Sequence, residues 1–100
     1  MATYQELFDL STETEIINKV ATAGVIKAES LISAATPTSA EITWANNTLS
    51  NPVGRAKTLI HYVMAANKDS TSTVIRGASD SVIQGNVDAA ADKMIAGGVE

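Results

Sequence analysis

The segment TETEIINKVATAGVIKAESLISAA, residues 12–35, decides the fold. Along it Ile17, Val20, Gly24, Ala28, Leu31 and Ala35 recur at intervals of three and four, the signature of one helical stripe, while Asn18, Thr22, Glu29 and Ser33 fall on the opposite side. Thr12 and Glu15 have the spacing of a capping box, in which a hydroxyl and a carboxylate satisfy the free N–H groups of a helix start. The segment therefore predicts the longest helix of the chain. Its end is set by Pro37, which disfavours helical geometry at Thr36.

Working outward, the same signature returns twice. Thr3 and Glu6 open a short helix over about Tyr4–Leu10, and Thr38 and Glu41 open another over about Ser39–Leu49. In the latter the stripe reads Ile42, Ala45 and Leu49, with Trp44 pointing away from it. Asn51-Pro52 is an N-cap followed by proline at the first helical position, and the helix it starts, about Pro52–Ala66, has an inner face of Val53, Ala56, Leu59, Ile60 and Val63. Residues 67–70 form a turn, Ser70 caps a short helix through about Arg76, and Gly77 closes it. Ser79 caps a last helix, about Asp80–Ala96, with a stripe of Ile83, Val87, Ala90 and Met94 that stops at Gly97-Gly98. No six-residue alternation and no hairpin dipeptide between apolar runs appears. The expectation is an all-α protein: residues 1–100 as a single domain, one compact helical bundle of four main helices with one or two short ones.

Composition limits what such a bundle contains. With 100 residues and only four aromatics (Tyr4, Phe8, Trp44, Tyr62), the core must come from Ala, Val, Ile and Leu, which is thin enough for partners to matter to stability. The chain has no cysteine, which removes disulfides, thiolate catalysis and cysteine-ligated zinc. No stretch approaches a membrane span and no signal sequence opens the chain, so a soluble intracellular product is expected.

Chemistry is sparse. The one histidine, His61, falls on the polar side of its helix beside Lys57 and Thr58, with no sequence-local partner to orient it as a base. Asp88 and Asp92 lie one turn apart and Glu13 and Glu15 sit at a helix start. A wet face and the helix dipole explain both pairs, and no Glu-x-x-His pattern suggests a metal bundle. No glycine-rich phosphate loop is present. The reading is of a non-enzymatic protein with no catalytic residue, cofactor or metal site. Glycines inside helices each cost about 1 kcal/mol relative to alanine, so close approach of another helix is expected to offset them. For Gly24 that neighbour is expected within the chain, for Gly54 and Gly85 in another subunit.

Residues 73–88 have the outline of a helix-turn-helix, a short helix, Gly77 and a capped second helix, so a small DNA-binding regulator is the rival reading. The first turns of that second helix offer Asp80, Ser81 and Gln84, and the helix holds Lys93 as its sole cation, the wrong sign for a phosphate backbone; nucleic acid is not the expected partner.

Charge and stray apolar residues point to protein partners instead. Residues 1–52 sum to −4, residues 53–77 to +3 and residues 78–100 to −3. Such blocks are ordinarily a solvated surface, but they also suit faces that meet between subunits. Ile26, Trp44 and Ile95 fall outside the inner stripes, and Arg55 and Lys57 lie in the basic block; these five are the expected interface, apolar anchors and charge partners respectively. Segregated charge of this kind cannot be matched by pairing identical patches, whereas a head-to-tail contact matches it and generates rings or filaments.

Three stretches also carry a resemblance. The opening MATYQELFDL, the run AANKDST at residues 65–71 and IQGNVDAAAD at residues 83–92 resemble small structural proteins of tailed bacteriophages. Together they cover about a quarter of the chain and form no defined motif. In size and helical make-up the chain is similar to the head–tail connector adaptors of that group. The resemblance implies a virion protein made in the host cytoplasm, a ring-forming subunit whose partners are copies of itself and portal or tail components. No binding residue is carried over from it.

Overall fold

The computed structural model describes residues 12–66, 75 and 77–100, and these form four α-helices: α1 (Thr14–Ile32), α2 (Ser39–Ser50), α3 (Pro52–Ala66) and α4 (Asp80–Ala96). No strand occurs among the described residues, and the protein is an all-α bundle. The expected short helices over residues 4–10 and 70–76 lie outside the described residues, apart from Ile75.

Helix α1 is the centre of the bundle and packs against each of the other three, while α3 and α4 pack on one another and α2 touches α3 and α4 only lightly. Its burial explains that position. Ile16, Ile17, Val20, Ala23, Gly24, Ala28 and Leu31 are all buried, a band wide enough for three neighbours. Gly24 is where α1 comes closest to α3: a methyl group added there would stand 3.1 Å from Leu59 Cδ1 and 3.7 Å from Thr48 Cγ2. The expected intrachain neighbour is present. The helix ends three residues earlier than its stripe, at Ile32, and Ala35 is exposed. Ser33 Oγ bonds the Ser30 carbonyl and the Ala34 N–H turns back to Leu31, so the last turn tightens before the proline is reached. At its other end the N-cap residue is Glu13, one residue later than the expected Thr12, and its side chain makes no capping bond.

The Thr38–Glu41 box forms. Thr38 Oγ1 accepts from Glu41 N at 3.1 Å and Glu41 Oε1 accepts from Thr38 N at 2.9 Å. Hydrogen bonding to the carboxylate by the Thr38 backbone N–H, and secondarily by the Thr38 side chain, holds the Glu41 carboxyl below its ordinary 4.5. Because the folded value is the lower one, the stabilisation is complete above about pH 4.5 and is lost as the solution is acidified through the lowered value. Ser79 caps α4 as expected, accepting from Val82 N.

Helix α2 is rotated relative to the sequence reading. Trp44, Ala45 and Thr48 face the core, with Trp44 at 0% exposure, whereas Ile42 and Leu49 are left 39% and 37% exposed. Magnitude explains the choice. Indole is the largest apolar surface available, and turning it inward costs only partial exposure of two aliphatics. Thr48 comes inward with it at little cost, since its hydroxyl bonds the Trp44 carbonyl at 2.8 Å.

In α3, Ala56, Leu59, Ile60 and Val63 are buried as expected, joined by Met64. Val53 is not: it is 49% exposed in the first turn of α3, a helix that α2 touches only lightly. In α4 the stripe Ile83, Val87, Ala90 and Met94 is buried together with Ala91, and Ile95 is half-buried against the core.

Candidate docking surfaces

The five residues expected at an interface divide sharply. Ile26 stands outward on α1 with 51% exposure, and Lys57 is exposed on α3 with no ion-pair partner among the described residues. Trp44 is a correction: it is a core residue and presents nothing to a partner. Ile95 is corrected in part, because its half-buried side chain packs on the core instead of standing on a wet face.

Arg55 is engaged within the chain. Its guanidinium lies 5.1 Å from the Trp44 ring centroid, its Nε donates to Thr48 Oγ1 at 3.0 Å, and its Nη2 donates to the main-chain oxygen of Glu100. Asn47 Nδ2 donates to the same oxygen at 2.7 Å. Partial burial pushes the guanidinium below its ordinary value, and it stays cationic. Arg55 thus ties α2, α3 and the end of the described chain together. The Trp44 indole N–H beneath it is buried without a hydrogen-bond partner.

Glu100 reaches Arg55 because α4 ends in a Schellman turn. Val99 N bonds Met94 O at 2.8 Å, Gly98 N bonds Ile95 O at 3.1 Å, and Gly98 takes φ 77°. Val99 then packs on the core and points the last residue back toward α2 and α3. Alanine at position 98 would be forced into left-handed geometry that costs about 1–2 kcal/mol. Gly98→Ala is expected to lower the unfolding free energy measured in urea by that amount and to speed amide exchange at Val99. Unchanged exchange at Val99 would show that the turn does not hold the end in place.

The outward surface has members that sequence reasoning missed. Besides Ile26, the large apolar residues Ile32, Ile42, Leu49, Val53 and Val82 are between 37% and 49% exposed. For α2 a signal was present: Ala45 belongs to both possible stripes, and the size of the indole favours the one containing it. Nothing in the sequence marked Val53, which is 49% exposed. Gly54 is likewise corrected. Asn51 Oδ1 accepts from Gly54 N at 3.2 Å as the cap of α3, and a methyl group at Gly54 would stand 2.4 Å from Asn51 Nδ2, so a close neighbour lies within the chain itself. Gly85 is exposed with no atom close to its missing methyl position.

Between α1 and the start of α4 lies a cleft of about 320 Å³, walled by Ala23, Ile26 and Ile83, with Asp80 and Lys19 at its edge. Gln84 helps to hold the two helices at this spacing, its amide donating to the Ala23 carbonyl at 2.9 Å and to Asp88 Oδ1 at 2.8 Å. Further along, Lys27 of α1 pairs with Asp92 of α4 at 3.0 Å. The acidic pair Asp88 and Asp92 therefore serves helix packing. The amide of Gln84, which a helix-turn-helix would present to bases, is used inside the bundle.

Among the described residues no group of three or more His, Cys, Asp or Glu side chains could hold a metal ion, and no helix is long and apolar enough to cross a membrane. No family model, curated protein or solved structure matches the chain.

Proposed function

We propose that this protein acts by docking, as a non-enzymatic structural or assembly subunit of a tailed-phage particle, in a ring at the head–tail junction. The observation that supports the reading best is Ile26, a large aliphatic side chain 51% exposed at the mouth of an apolar cleft on the helix that organises the bundle. The phage setting rests on the resemblance of residues 1–10, 65–71 and 83–92. In this reading the protein contributes shape and adhesion and has no chemical step.

Mass spectrometry of purified particles from the phage encoding the chain tests the setting: the chain is expected in the particle at a fixed multiple copy number. A chain found only in infected-cell lysate, with tight and steeply salt-dependent DNA binding, would support the regulator instead. Docking has its own test. Ile26→Asp sits on the surface and is expected to change folding stability by no more than about 0.5 kcal/mol. The same variant is expected to stay monomeric in sedimentation at concentrations where the unaltered chain assembles. Unimpaired assembly would remove Ile26 from the interface.

A further inference from the structure

We propose that the contact between copies is made by α3 of one chain entering the α1–α4 cleft of the next, with Val53 against Ile26 and the Lys57 ammonium on the Asp80 carboxylate. This inference rests on the docking reading above and names its two surfaces.

Val53 and Lys57 are both exposed and four residues apart, so they stand one above the other on α3. Helix α3 carries two cations and no acid, and Arg55 is already held by Thr48 and Glu100, so Lys57 is the cation it has to offer. The cleft has the complementary make-up. Its lining combines the apolar Ala23, Ile26 and Ile83 with Thr22, Gln84 and Asp80, and Glu29 follows Ile26 by one turn of α1. The other acids of α4 are occupied, Asp92 by Lys27 and Asp88 by Gln84, while Asp80 has no ion-pair partner among the described residues. Lys19, which also lines the cleft, pairs with Glu15 along its own helix at 3.8 Å. An aliphatic side chain with a cation one turn away is thus matched by a cleft whose lining offers aliphatic side chains and an acid. A symmetric contact through α3 would set Lys57 against Lys57, which favours the head-to-tail arrangement.

The absence of cysteine allows a direct test. Val53→Cys and Ile26→Cys chains, each with a far-UV circular dichroism spectrum like that of the unaltered protein, are purified separately, mixed, oxidised mildly and resolved without reductant. A disulfide forms only where the two Cα atoms come within about 7 Å. The expected product is a cross-linked pair holding one chain of each kind, formed well above the level of like-with-like pairs. Adding Lys57→Glu to the Val53→Cys chain is expected to abolish it, and Asp80→Lys in the Ile26→Cys chain to restore it. Mixed pairs no more abundant than like pairs, or cross-linking indifferent to Lys57→Glu, would overturn the proposal. Cross-linking as expected by a chain absent from particles would remove the phage setting and leave this contact standing.

Discussion

Trp44→Ala is expected to lower the unfolding free energy by about 3–5 kcal/mol, the range for removing a fully buried aromatic. A domain of this size has only about 5–15 kcal/mol to lose. The indole is at 0% exposure and, among the described residues, is the largest side chain of a core otherwise built of Ala, Val, Ile, Leu and Met, so removing it leaves a space that close-packed neighbours fill poorly. Arg55 also loses the ring it lies over, and Thr48 the tight packing that keeps its hydroxyl on the helix carbonyl. The measurement is urea unfolding followed by far-UV circular dichroism, since the only tryptophan is gone from the variant. A loss under about 1 kcal/mol, the size usual for surface substitutions, would mean that the indole faces outward and that α2 presents the opposite stripe to the core. Trp44→Phe is expected to cost less than the alanine variant, because it keeps part of the ring volume and removes an N–H buried without a partner.

Leu59→Ala is expected to cost about 2–5 kcal/mol, and its pairing with Gly24 gives the test more resolution. Leu59 is fully buried and its Cδ1 lies where a side chain at Gly24 would begin. In the unaltered protein Gly24→Ala gains about 1 kcal/mol of helix propensity but presses on Leu59, so the two effects oppose. With Leu59 shortened the pressure disappears. The propensity gain is then joined by a small filling of the cavity, and Gly24→Ala is expected to stabilise the Leu59→Ala background by about 1 kcal/mol or more. The four-protein cycle reads this directly as non-additivity. Strictly additive effects would show that α1 and α3 do not meet at this point.

The all-helical fold was legible because its signals are local. The Thr38–Glu41 box, Ser79 and Gly97-Gly98 act within a few residues of themselves, and each works as its chemistry requires. The long helix was equally plain, since the stripe from Ile17 to Leu31 repeats over four turns and leaves one answer. Helix α2 is short and carries two apolar stripes that share Ala45, so periodicity alone could not choose its face. The choice follows from how much surface each rotation buries, which is a property of the assembled bundle. Val53, Ile95 and Arg55 were misplaced for a related reason. Glu100, which accepts from Arg55, lies 45 residues away in sequence, and the cover over Ile95 and the light contact of α2 with α3 are properties of the assembled bundle. Ile26 was legible as an outward residue because α1 is the best-defined helix. The cleft beside it was not, since it depends on the spacing that Gln84 and the Lys27–Asp92 pair help to hold between α1 and α4.

The proposed contact between copies depends on that geometry, which leaves Ile26 and Val53 about half exposed. Sedimentation velocity of the unaltered chain over a wide concentration range, at low and high salt, tests this most directly. The expected result is mass that rises with concentration above 10.4 kDa toward discrete assemblies, weakened by salt as a Lys–Asp contact requires. A single species of 10.4 kDa at every concentration and salt would contradict the account.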